Sequence, residues 1–113
     1  MTRDEALHLL AESRLKIDRI DIQLLELLNE RTRAVEKIGR AKEAAGLPIY
    51  EPKREDDVYR NVLEHNQGPL TAEALRSIFE RIIDEMRTLQ RNRRQSKELE
   101  TGTQETGKGQ AQC

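Results

Sequence analysis

From about Asp4 to Ala45 the chain contains no proline and a single glycine, Gly39, while its apolar residues recur with one helical period. Leu10, Ile17, Leu24, Leu28, Val35, Ile38 and Ala45 fall on a three-and-four alternation, which marks one face of an α-helix. Such a helix spans about 40 residues and about 60 Å. A small domain is only about 30 Å across, so a stripe of that length exceeds what its own chain can cover. A second copy of the same helix is the simplest cover.

Composition agrees with an all-helical fold. The 113 residues fit one domain, 36% are charged and only 3% aromatic, whereas β-sandwiches and barrels lean on aromatic and β-branched side chains. A formal charge of −1 gives no global field to draw nucleic acid or an anionic membrane, so any anion site must be a local cluster. The single cysteine, Cys113, excludes an internal disulfide framework, and a reducing compartment follows. With no signal-like start and no apolar run of membrane-spanning length, the sequence predicts a cytoplasmic protein. Residues 91–113 hold three hydrophobic residues, Leu99, Ala111 and Cys113, and half of all the glycines. The expected division is therefore a folded domain over residues 1–94 and a disordered tail over residues 95–113.

Two further helices follow the first. Gly46-Leu47-Pro48 ends the long helix, and Ile49-Tyr50-Glu51-Pro52 reads as an extended linker, since each proline pushes its predecessor out of the α region. A second helix is predicted from Pro52 to about Asn66, with Gln67-Gly68-Pro69 as its break. A third, capped by Thr71, places Leu75, Ile78, Phe79, Ile82, Ile83, Met86 and Leu89 on one broad face and is expected to fade within Arg91–Lys97.

The stripe of the first helix is interrupted by cations. Continued through every step, the alternation meets Arg14, Arg31 and Lys42, which are costly on an apolar seam unless each finds a carboxylate or an anionic ligand. Arg31 and Lys42 lie about 16 Å apart along the axis, close enough for long side chains to bracket one small molecule. Arg14 and Arg31 are about 25 Å apart and cannot share a small ligand within one chain. Across an antiparallel partner helix they can, which makes two equivalent sites per dimer. Arg54 and Glu55 open the second helix facing the same interior, and Gln90 follows Met86 by four residues on the third. Together the set suits a dicarboxylate: arginine grips carboxylates through two parallel hydrogen bonds, while Lys42 and Gln90 offer single directed donors. His8, His65, Ser13, Ser77 and Ser96 show neither nucleophile–base pairing nor metal-ligand spacing and read as surface residues.

The run Arg14-x-x-Ile17-Asp18-x-Ile20-Asp21, Leu24-Leu25-x-Leu27-Leu28-x-x-Arg31, Ile38-Gly39-x-x-Lys42, Pro48-Ile49-Tyr50-x-Pro52-x-Arg54-Glu55, Gly68-Pro69-Leu70 and Ile78-Phe79 to Gln90 resembles the AroQ-type chorismate mutases over roughly residues 7–91. The resemblance implies an intertwined homodimer with three helices per chain and the rearrangement of chorismate to prephenate, on the shikimate route to aromatic amino acids, without cofactor or metal. It implies carboxylate clamps from Arg31 and the other subunit's Arg14, with Arg54 in the cationic wall. Lys42 and Gln90 become the catalytic donors to the ether oxygen, Lys42 also touching a carboxylate, and Glu55 and the backbone near Glu51 the holders of the ring hydroxyl. Met86 stands at a pocket position where many relatives carry a small polar residue, and Glu51 where some carry Asp. A neutral Gln90 implies activity that does not require acidic pH. DAHP synthase is the partner enzyme the resemblance suggests. The alternatives are an isochorismate-pyruvate lyase of the same fold and a non-catalytic regulatory helical dimer.

Overall fold

The computed structural model describes the backbone of residues 1–106 and the side chains of residues 1–96, and it consists of helices α1 (Arg3–Ala45), α2 (Pro52–His65) and α3 (Ala72–Thr106). The all-α fold expected from the stripe and from the Gly/Pro punctuation is what forms, with no strand among the described residues. The chain divides into two units, Met1–Ala34 and Val35–Cys113, with α1 continuing through the division.

In the first unit, α1 begins with a reciprocal cap. The Glu5 amide donates to Thr2 Oγ1 at 3.1 Å, and the Thr2 hydroxyl donates back to Glu5 Oε1 at 3.1 Å. With Asp4 and Glu5 in the first turn, the positive end of the helix dipole is also complemented. No residue of α1 is buried, and its apolar stripe stands open, with Leu10 45%, Ile17 53% and Leu24 48% exposed.

The second unit contains the last turns of α1, the linker, α2 and α3. Gly46, at φ +68°, closes α1: its amide bonds the Glu43 carbonyl at 3.2 Å and the Leu47 amide reaches back to the Lys42 carbonyl at 2.7 Å. This paired 5→2 and 6→1 arrangement is the Schellman ending that favours glycine. Glu51, kept out of the α region before Pro52 at φ −131° and ψ 88°, leads into α2, whose first position the proline occupies. At the start of α3 the Thr71 hydroxyl accepts the Ala74 amide at 3.1 Å.

Helix α2 packs on α3. Leu75, Ile83 and Met86, each 8% exposed, form the buried core, flanked by half-buried Val58, Val62, Leu63, Phe79 and Ile82. The Arg76 guanidinium lies 4.4 Å above the Tyr59 ring across the same contact. Ile78 and Leu89, expected on the same face, remain exposed on α3.

Helix α3 runs to Thr106, well past the Arg91–Lys97 stretch where it was expected to fade. Arg91 to Glu100 is rich in Arg, Gln, Lys and Glu, which propagate a helix well, and contains neither proline nor glycine. The stretch is also tied to α1: Arg93 Nη1 pairs with Glu36 Oε2 at 3.0 Å and Arg94 Nη1 donates to the Leu47 carbonyl at 3.2 Å. Residues 107–113 of the expected tail lie outside the described residues.

Because Gly46 sits in the left-handed region, Gly46→Ala should destabilise the protein by about 1–2 kcal/mol, read as a lower Tm in thermal denaturation at fixed protein concentration.

Candidate active site

The Schellman reversal sends the chain back along the end of α1, and this places the linker against Lys42. Lys42 Nζ donates to the Ile49 carbonyl at 2.9 Å and pairs with Glu51 Oε1 at 2.7 Å. Only 11% of the Lys42 side chain is exposed, against 50% of that of Glu51. The cation on the seam thus finds its carboxylate in the linker. An ammonium carries three N–H groups and these contacts engage two of them, so the third can meet a ligand.

Gln90 meets α1 two turns earlier. Its Nε2 donates to the Val35 carbonyl at 3.1 Å, a carbonyl whose other lone pair serves the helix. The approach runs past Gly39, where a Cβ would lie at ordinary contact distance, 3.5 Å from Gln90 Cγ and 3.6 Å from its Nε2. Gln90 is accordingly half-buried, and its second N–H remains to be directed elsewhere.

Glu55 is half-buried on the first turn of α2, where Arg87 Nη2 of α3 donates to its Oε2. Arg87 also lies 4.8 Å over the ring of Tyr50 and 3.8 Å from Asp84 Oδ1. The hydrogen bond to Glu55 raises the Arg87 pKa above its ordinary value, against the opposing effect of burial. Met86 is buried beside Arg87 in sequence, whereas Arg54 is exposed.

Of the eight residues singled out from sequence, the second unit contains six: it pairs Lys42 with Glu51, sets Gln90 on the same end of α1, and holds Glu55 through α3. Arg14 and Arg31 belong to the first unit, Arg14 exposed and Arg31 half-buried. Arg87 and Arg94 were missed. Extending α3's alternation through positions 83, 87, 90 and 94 would have found them, because polar residues on an apolar ladder were the signal that revealed Lys42. Arg94 reaches Glu43 at 3.7 Å as well as Leu47. Among the described residues no three His, Cys, Asp or Glu side chains gather as metal ligands would. His8 pairs with Glu12 at 3.1 Å on an exposed face, and His65 Nδ1 lies 2.8 Å from the Asn61 carbonyl oxygen.

Residues 13–91, which include every one of these site residues except Arg94, match the family model of chorismate mutase type II. The chain belongs to the chorismate mutase type II family. It is 40% identical over 86 residues to the bifunctional chorismate mutase/prephenate dehydratase of Aquifex aeolicus, a match covering 73% of this chain and 24% of that protein. It is 39% identical over 61 residues to the chorismate mutase of Methanocaldococcus jannaschii, covering 50% of this chain and 62% of that one. The fold is similar to that of the Form II chorismate mutase structure from Thermus thermophilus, with TM-score 0.68, 36% identity, and coverage of 80% of this chain and 96% of that chain. The chain spans about a quarter of the length of the curated bifunctional relatives it matches. No helix among the described residues is long and apolar enough to cross a membrane.

A methyl group at Gly39 makes an ordinary contact with Gln90, and a larger side chain overlaps it. Gly39→Ala should therefore leave Tm unchanged or raised, by up to about 1 kcal/mol of helix propensity, whereas Gly39→Leu should lower it by displacing the Gln90 amide from Val35. Paired thermal melts check both.

Proposed function

We propose that this protein rearranges chorismate to prephenate, carried by one observation: Lys42 and Gln90 present part-buried donors on the same end of α1. The rearrangement is pericyclic, so no nucleophile is required; the substrate must be held in a compact conformer while the breaking C–O bond leaves negative charge on its oxygen. Holding the conformer supplies an orientation term, assigned to Arg31, Arg54 and Arg14 of the partner subunit as carboxylate clamps. Lys42 and Gln90 donate to the ether oxygen, where charge is larger in the transition state than in the substrate. Lys42 also touches a carboxylate, Glu55 and the backbone near Glu51 hold the ring hydroxyl, and Met86 lines the pocket. Because Gln90 is neutral across the physiological range, acidic pH is not required.

The working assembly is an intertwined homodimer with two sites, each fed by both chains. The open stripe of α1 supports it, as do exposed Ile78 and Leu89 on α3. The catalytic domain is residues 1–94, with the tail over 95–113 outside it. A chain with one cysteine suits a cytoplasmic setting, and DAHP synthase is the candidate partner enzyme.

Purified protein should consume chorismate, followed by absorbance, with isochorismate assayed beside it; turnover of isochorismate alone would establish the lyase instead, and turnover of neither a binding module. Lys42→Ala and Gln90→Ala should each lower kcat by about 10²- to 10³-fold in that assay. Equal mixing of Arg14→Ala and Arg31→Ala chains should restore about a quarter of wild-type activity, since half of the dimers are mixed and each holds one intact site. Absence of recovery would show that the sites are not shared.

A further inference from the structure

Arg87 has no place in the roles assigned above, yet it is one of the better held side chains of the second unit. The Arg87 and Glu55 side chains are 23% and 22% exposed, so the pair is largely withdrawn from water. The same guanidinium covers the Tyr50 ring at 4.8 Å. Tyr50 precedes Glu51, the residue that pairs with Lys42, and Arg87 precedes Gln90 by one turn of α3. One side chain therefore touches α2 and the linker from the helix that carries Gln90.

We propose that Arg87 is a positioning residue that aims the Glu55 carboxylate at the ring hydroxyl of the substrate. This rests on the chorismate mutase function proposed above. A glutamate alone samples many rotamers, and a carboxylate that must accept one hydroxyl gains from being fixed beforehand. Arg87 takes Oε2, and the carboxylate retains lone pairs on Oε1 for a hydroxyl donor. The guanidinium bonds Glu55 through Nη2 while its carbon lies 4.8 Å over the Tyr50 ring, and its planar, multi-donor shape suits both contacts.

The test compares kcat/KM for chorismate with that for its ring O-methyl ether, which cannot donate a hydrogen bond to Glu55. In the wild type the ratio should favour chorismate. Glu55→Ala should lower that ratio by roughly ten- to hundredfold, the range for a hydrogen bond to a charged group. Arg87→Gln should lower it by a similar factor, and the double variant should lose no more than Glu55→Ala alone, since Arg87 acts through Glu55. If Arg87→Gln does not fold by circular dichroism, Arg87→Met is scored in the same way. A folded Arg87 variant that slows both substrates by the same factor, or losses that add in the double variant, overturns the positioning role while leaving the mutase function standing. A wild type inert toward chorismate overturns both.

Discussion

Helix α1 is 43 residues long and carries its apolar stripe from Leu10 to Ala45, and none of its residues is buried. Leu10, Ile17 and Leu24 lie about half open to solvent, and an exposed row of large aliphatic side chains is costly in water. In the proposed dimer the same stripe solves two problems together. It supplies apolar area that α2 and α3, with only Leu75, Ile83 and Met86 buried among the described residues, do not supply by themselves. It also spaces the cations: Arg14 and Arg31, too far apart to meet within a chain, fall within reach of a common ligand only when a second α1 crosses the first.

Polar groups on otherwise apolar faces are then a single device used twice. On α1 it is Lys42, which bonds the linker; on α3 it is Arg87, Gln90 and Arg94, which bond Glu55, the Val35 carbonyl and the Leu47 carbonyl. Each of these long side chains delivers its donor to an acceptor on another element. The donors that proposed catalysis requires are held by contacts within the chain, and preorganisation of that kind is what stabilising developing charge demands.

Helix type, order and punctuation were legible because their causes are local. Gly46 with its left-handed φ, Pro52 at the first position of α2, and Thr71 capping α3 each act within a few residues of themselves. Lys42 and Gln90 were legible because they break a period. The acceptors they use were not, since Glu51 reaches Lys42 through a chain reversal and Val35 reaches Gln90 across two helices. The end of α3 was misplaced for a related reason: the composition of Arg91–Lys97 is that of a solvated surface, and the carboxylates that hold Arg93 and Arg94 lie on α1, at Glu36 and Glu43. Arg87 breaks the period of α3 in the same way, but its acceptor, Glu55, lies on another helix 32 residues away in the chain.

The Schellman reversal at Gly46 makes the length of the following segment a chemical quantity. Five residues, 47–51, separate the glycine from Pro52, and within them Ile49 offers a carbonyl to Lys42, Tyr50 offers a ring face to Arg87 and Glu51 offers a carboxylate to Lys42. A residue advances the chain by at most about 3.3–3.6 Å, so these three contacts leave the segment little slack. One residue more or fewer would therefore move Tyr50 and Glu51 away from their partners while leaving all three helices intact. Evolution can vary the composition of this segment, as an Asp in place of Glu51 would, far more freely than it can vary its count.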